Sequence, residues 1–290
     1  MTSTPHAVPP AGSAEEPSAA LHPAQQPVVA LGDGPLRSRL VARRIGALSL
    51  QELQKINHDK SEVLTRSIQP ALWLLIFGTT VSQLQVIPTG DLSYLDFLAP
   101  GILAQSALFV AIFYGIQIIW DRDAGVLSKL LVTPTPRSAL VTGKAFAAGV
   151  RGVAQAIVVI TIAALLGVDF RWNPLSMVAA LIVVVVSAGF FACLSITIAG
   201  LVRSRDRLIG VGQAIMMPLF FASNALYPVD VMPAWLQWVS RFNPLSYEVD
   251  ALRGLLVGAP AHLWLDAVVL LGCLVAGVCS AAALLGRLTR

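Results

Sequence analysis

Two segments of this chain gather charged, aromatic and proline residues between long apolar runs, and neither has the spacing of bond-making chemistry. The first runs from Asp121 to Arg137. Asp121, Arg122 and Asp123 stand at its head, Lys129 near its tail, and Pro134 and Pro136 at its end. Acids first, a base last and then proline is the pattern of a short helix whose charges complement its dipole and whose prolines stop it. Val126, Leu127, Leu130 and Leu131 fall on one face, so the spacing predicts an amphipathic surface helix that docks into a groove. The second segment runs from Asn224 to Arg253. Pro233 and Pro244 are each well placed at a helix start, and Asn243 is able to cap the second helix. Trp235, Trp238 and Phe242 share a face of one short helix, and Leu245, Val249, Leu252 and Leu256 share a face of the next. Both are too short to cross a bilayer, and the expectation is a pair dipping into the outer leaflet with aromatics at the interface. Glu248, Asp250 and Arg253 lie on the second, where Asp250 and Arg253 are spaced to pair.

Other chemistries lack their residues. A nucleotide cradle needs a glycine-rich loop followed by Lys and Ser or Thr; the stretches around Gly32 to Gly34 and at Gly143-Lys144 fail on spacing. Ion-coupled carriers bury an ionisable residue in mid-membrane, whereas Asp96, Asp169 and Asp266 stand at span ends and Arg151 can snorkel to the inner face. His6, His58 and His262 form no metal-ligand or catalytic spacing with the acids. The expectation is no catalytic residue, no metal and no cofactor in this chain, with any energy source on another.

The elements that hold these segments are apolar helices. Stretches of ~20 residues or more, enough to cross a bilayer, lie near 67–86, 95–120, 143–166, 174–202, 208–227 and 263–286. With 56% hydrophobic and 12% charged residues, nearly all the chain beyond the first sixty must be lipid-solvated helix, because backbone in lipid has to satisfy its own hydrogen bonds. The runs are continuous rather than alternating, which excludes a β-barrel. The fold class is therefore an all-α membrane protein with six transmembrane helices. Lys and Arg collect in every second connection, all but Arg171, Arg241 and Arg253 falling on one side, so both termini are expected in the cytoplasm. The excess of base over acid is a topology signal and implies no nucleic acid. The three cysteines, Cys193, Cys273 and Cys279, sit inside spans as small packing residues.

Residues 1–35 are rich in Pro, Ala, Ser and Gly, without a signal-peptide core, and read as a disordered cytoplasmic tail. From Leu36 to Arg66, Leu40, Val41, Ile45, Leu48, Leu53 and Ile56 recur at roughly helical spacing among basic residues, as in a helix lying along the inner interface.

At these segments the chain resembles the ABC type-2 exporter permeases, the group that includes daunorubicin-resistance and nodulation-factor permeases. Asp121 to Arg137 is similar to their coupling-helix signature: acid, Arg, acid, any, Gly125, then Leu127, then Leu130-Leu131-x-Thr-Pro134 and the later Arg137. Tyr227 to Arg253 is similar to their extracellular helical pair, in its Pro-x-x-x-Met-Pro-x-Trp-Leu and Asn-Pro-Leu-Ser-Tyr elements. The resemblance runs from about Arg43 to the C-terminus, giving a permease domain over 36–290. Val126 and Ser128 stand where the family often has Thr and Glu.

The resemblance implies a transmembrane subunit of an ATP-driven exporter in a bacterial plasma membrane. It would pair with a second permease chain, identical or homologous, and with two separately encoded ATP-binding subunits, on which ATP and Mg would sit. The interfacial helix at Arg43, Arg44 and Ile45 and the coupling helix would pass the motion of the ATPases to the spans. The implied cargo is an amphipathic drug, natural product, lipid or glycolipid. The alternative function is a secondary transporter driven by an ion gradient.

Overall fold

In the computed structural model, the described residues are 60–84, 87–125, 137–202 and 204–285, with Gly46 and Gln54. All regular elements among them are helical. The first helix, α1 (Lys60–Leu72), runs directly into a π-helical turn (Trp73–Gly78) and then α2 (Thr79–Leu84). There follow α3 (Tyr94–Asp123), α4 (Arg137–Leu165), α5 (Pro174–Val202), α6 (Arg205–Phe221), a 3-10 turn (Val229–Val231), α7 (Ala234–Phe242), α8 (Pro244–Leu256) and α9 (Leu263–Leu285). The tail, the interfacial segment with Arg43, Arg44 and Ile45, and residues 126–136 lie outside the described residues.

Among the described residues four helices, α3, α4, α5 and α9, are long and apolar enough to cross a membrane. The two other expected spans are also helical, the first over all its described residues and the fifth with different bounds. The first is helical through all of the described residues from Lys60 to Leu84 and is interrupted by the π turn, three residues beyond Pro70, whose missing N–H already weakens the ladder. The fifth stops at Phe221, not at 227: after its 17 residues the chain turns, with Ser223 Oγ donating back to the Phe220 carbonyl at 2.7 Å.

The core is built around α3 and α5. Ser93 caps α3, its Oγ accepting from the Asp96 N–H at 3.1 Å, and Asp96 Oδ1 in turn accepts from the Asp169 N–H at 2.9 Å, which ties the α4–α5 connection to the start of α3. Pro174 opens α5 behind Asn173, whose Oδ1 accepts from the Leu175 N–H. Leu98, Ile102, Leu108, Val184, Phe191 and Ile196 are almost fully buried between these helices and their neighbours. In lipid, apolar contact gives little preference for helix over solvent, so association rests on close backbone approach at small residues and on interhelical polar contacts. Gly115 of α3 lies against the Ser195 backbone, where Ser195 Oγ donates to the Ile112 carbonyl at 2.5 Å. α1 is held to α4 by a polar relay, Gln155 Nε2 to Ser67 Oγ at 2.9 Å and Ser67 Oγ to the Val63 carbonyl at 2.7 Å.

A Cβ at Gly115 would collide with the carbonyl and hydroxyl of Ser195, whereas one at Gly272 meets nothing. Gly115→Val is expected to destabilise the bundle by about 1–3 kcal/mol through overpacking, and Gly272→Val to leave it near wild type. Thermal midpoints of the purified proteins in one detergent check this, and equal midpoints for the two variants would contradict the close α3–α5 seam.

Candidate functional site

The first sequence-predicted site sits where α3 ends. Asp121, Arg122 and Asp123 were expected to open a short helix; they instead close α3, because the chain takes a left-handed turn at Gly125 (φ 70°) and the Ala124 N–H returns to the Trp120 carbonyl at 2.9 Å. The acids thus stand at the negative end of a helix dipole, which disfavours them. Cations offset this: Lys144 Nζ on α4 reaches Asp121 Oδ2 at 2.7 Å in a half-buried pair, and Arg122 forks onto Asp123 at 2.8 and 3.0 Å. Lys144 clamps α4 to the end of α3, a contact the sequence motif does not indicate. Leu127, Leu130, Leu131 and Pro134 lie outside the described residues, and of Arg137 only the backbone, as the first residue of α4, is described.

The second predicted site is present as a helical pair, α7 and α8. Asn243 caps α8, its Oδ1 accepting from the Leu245 N–H at 3.0 Å. Trp235, Trp238 and Phe242 form an exposed face on α7, with the Trp238 and Phe242 rings stacked at 6.1 Å. Leu245, Val249, Leu252 and Leu256 are fully buried. The polar members of the segment share a task that their spacing does not reveal. α6 stops short, and carbonyls of its last turn and of the turn that follows accept from side chains. Asn243 Nδ2 donates to the Leu219 carbonyl at 2.6 Å, Tyr227 OH to that of Phe221 at 2.6 Å, Arg253 to that of Asn224 at 2.7 Å, and Tyr94 OH to that of Leu226 at 3.1 Å. Arg253 also donates to the Phe97 carbonyl at 3.2 Å and lies 3.8 Å from the centroid of the Phe97 ring. Asp250 and Arg253 do not pair directly: Asn224 stands between them, its Nδ2 donating to Asp250 Oδ1 at 3.4 Å. Burial pushes Arg253 down to about 10, with Asp250 pulling it back up, so the guanidinium stays charged at neutral pH.

A cavity of about 240 Å³ opens between α1, the π turn, α3 and α6. Gln69 and Trp73 line it from the first helix, Gln105 and Phe109 from α3, and Gln213, Met216, Met217, Phe220 and Phe221 from α6. Trp73 packs edge-on to Phe220 with centroids 5.8 Å apart. A search of the spans for ionisable groups passes over these three carboxamides, each standing alone in an apolar run.

A model of the family described as ABC-2 type transporter matches residues 43–257, which takes in both predicted sites. The chain belongs to the ABC-2 type transporter family. Its apolar helices and that membership make it a multi-pass membrane protein. Among similar proteins, the putative transport permease ycf38 of Cyanophora paradoxa is 32% identical over 188 residues, 64% of this chain and 64% of that one, so the match spans just under two thirds of that relative's length. Nodulation protein J of Rhizobium leguminosarum bv. trifolii is 30% identical over 69% of this chain and 76% of its own. The daunorubicin resistance ABC transporter permease protein DrrB1 of Streptomyces coeruleorubidus is 25% identical over 82% of each.

Within this ABC-2 chain Glu248 is the least expected group. It is fully buried on α8, both carboxylate oxygens lack a hydrogen-bond partner among the described residues, and the Ser187 hydroxyl beside it falls short of one. Burial lifts the carboxyl well above its ordinary range, and the Ser187 hydroxyl pulls weakly the other way. Between the ordinary range and that raised value the fold holds a proton that the unfolded chain releases, so stability falls as pH rises through this window. Glu248→Gln, neutral at every pH, is expected to flatten the decline of the thermal midpoint between pH 5 and pH 9. The residual slope belongs in part to Asp250, which burial also lifts. A variant whose midpoint falls as steeply as the wild type would contradict a neutral buried Glu248.

Proposed function

We propose that this chain is the transmembrane permease subunit of an ATP-driven exporter, moving an amphipathic drug, natural product, lipid or glycolipid out of a bacterial cell. The observation that carries this reading is the continuity of the ABC-2 match from residue 43 to 257, through the Asp121–Arg137 segment and on through the α7–α8 pair. The names of relatives, daunorubicin resistance permease among them, support small amphipathic cargo. In this reading there are six spans, α1 with its π turn and α2 being the first and α6 the fifth, and both termini are cytoplasmic. Two ATP-binding subunits dock beneath the membrane, where ATP and Mg are held, and a second permease chain, identical or homologous, completes the complex.

The docking knob is the apolar face Leu127, Leu130 and Leu131. Motion imparted to it reaches the bundle at the end of α3, where the Lys144–Asp121 pair makes α3 and α4 move as one. α7 and α8 then lie at the far end of the same α3, which α8 grips through Arg253.

Leu130→Asp with Leu131→Asp is expected to leave the chain in the membrane and abolish co-purification of its ATPase; retention of the partner in the usual ratio would sink the docking role. In liposomes the chain alone is expected neither to hydrolyse ATP nor to move amphipathic dyes under a pH or sodium gradient. With its ATPase it should do both with ATP, and lose both when the ATPase's catalytic carboxylate is replaced. Gradient-driven movement by the chain alone would overturn the exporter reading in favour of a secondary transporter.

A further inference from the structure

Within the four helices that qualify as spans, acids stand only in first and last turns, Asp96, Asp121 and Asp123 in α3 and Asp266 in α9. α8 brings one deeper. It packs against α3, α5 and α9, and Glu248 on it has no exposed surface. Beside the carboxyl is the Ser187 hydroxyl of α5, equally buried. Ser187 lies thirteen residues beyond Pro174 and fifteen before Val202, so about 20 Å of helix separates it from either end of α5. Glu248 is therefore held at the mid-length of a helix able to cross a membrane, although its own helix is too short to do so. The course of α8 agrees. The Leu256 carbonyl at its end accepts from the Arg171 N–H at 2.7 Å in the α4–α5 connection, and Arg253 reaches the Phe97 carbonyl in the first turn of α3. Glu248 lies five residues before Arg253, ~7.5 Å further from that face.

Neither carboxyl oxygen of Glu248 has a hydrogen-bond partner among the described residues. The helices packed on it supply no counter-ion. α5 carries no acid or base, with Cys193 as its titratable side chain, and α3 carries none between Asp96 and Asp121, with Tyr114 as the titratable group in that stretch. On α9, Asp266 interacts with Asp250 and His262. On α8 itself, Arg253 is held by the Phe97 and Asn224 carbonyls. A metal cation needs several oxygen ligands, and Ser187 supplies a single hydroxyl. An ionisable group inside a membrane is costly and marks an ion or proton path; the ion that fits here is the proton.

We propose that Glu248 is a proton-binding site, which holds a proton while α8 is seated on α5 and gives it to water at the α4–α5 face when α8 moves away. The carboxyl O–H bond breaks, the carboxylate stays on the chain, and the proton passes to solvent with no other reactant. Asn243 supplies the linkage, because its Nδ2 donates to the Leu219 carbonyl at 2.6 Å and displacement of the end of α6 carries α8 with it. Release and uptake occur at one face, so the proton sets the opening equilibrium without crossing the membrane. On the exporter reading, on which this coupling rests, that face is the outer one and external acid holds the outlet shut.

Two measurements test this. The full chain in lipid nanodiscs is treated at pH 7 with dicyclohexylcarbodiimide, an apolar reagent that adds to a protonated carboxyl and rearranges to an N-acylurea that keeps every atom of both partners. Peptide mass spectrometry is expected to find the adduct at Glu248 and not at the exposed Asp91 and Asp230. A water-soluble carbodiimide with a glycine ester is expected to modify those two and spare Glu248. Absence of the apolar adduct, or modification of Glu248 by the water-soluble reagent, would overturn the proposal.

The second measurement follows ATP hydrolysis by the assembled complex in sealed inside-out liposomes, with the bath at pH 7 and the lumen, which the α4–α5 face meets, set from pH 6 to pH 8. The rate is expected to rise by about fivefold, within the ~100-fold that two pH units allow one proton. Glu248→Gln, which mimics the protonated acid, is expected to stay at the low-pH rate throughout, and Glu248→Asp, which keeps a titratable carboxyl, to retain a rise. A wild-type rate indifferent to lumenal pH, a rate that follows the bath pH instead, or a Glu248→Gln complex with the wild-type rise would each overturn the proposal. The Glu248 adduct without ATP hydrolysis by any assembled complex would remove the exporter reading and leave the proton site standing.

Discussion

The constraint on which this molecule turns is that no buried carbonyl can be left without a donor. α6 ends after 17 residues, and the chain then turns instead of continuing. A helix that ends in water leaves its last carbonyls to the solvent. Here side chains from three other places meet them: Tyr94 at the start of α3, Tyr227 beyond the turn, and Asn243 and Arg253 around α8. The Tyr94 and Arg253 bonds are buried, so deleting either donor leaves a buried acceptor unsatisfied, and the turn, α8 and the start of α3 hold together as one unit.

The same constraint explains why α8 carries charge in a place that disfavours it. Arg253 is buried, yet its guanidinium has backbone carbonyls of Phe97 and Asn224 as acceptors and the Phe97 ring beneath it. Carbonyl dipoles and a ring face stabilise a cation without a formal counter-charge, which leaves Asp250 free to bond Asn224. Glu248, on the same helix, has no such acceptor or donor set and keeps its proton. Two buried ionisable groups on one short helix thus hold opposite states, charged and neutral, because one meets backbone carbonyls and the other has only the Ser187 hydroxyl beside it.

The fold was largely legible because its signals are long and redundant. Apolar runs of twenty residues state helices, and the four helices that qualify as spans among the described residues agree with them. Asn243-Pro244 was legible as a helix start because capping and a fixed φ are local effects. What escaped was non-local. Asp121 and Asp123 have the composition of a helix start, and only the left-handed turn at Gly125 makes them a helix end. Asp250 and Arg253 have the spacing of an ion pair, but the carbonyls that claim Arg253 lie 29 and 156 residues away in sequence.

Packing is uneven in a way that bears on motion. α3, α4, α5 and α9 interlock through small residues, Gly115 on Ser195, Gly149 on Val185 and Gly200 on Leu284, where a displacement of one ångström would collide with backbone. α1 and α6 lack such a seam. α6 leaves Ile209, Met217 and Phe221 uncovered, α1 leaves Leu64, Ile68 and Leu72 uncovered, and the cavity lies between the two. Elements that move are drawn from the part of a fold with fewest buried contacts. A shift of α6 away from α1 would open the cavity without breaking the α3–α5 seam, but α6 is tied through the Leu219 and Phe221 carbonyls to Asn243 and Tyr227. Movement of that helix therefore has to carry its end-capping side chains with it, and the α7–α8 pair and the wall of the cavity are mechanically one part.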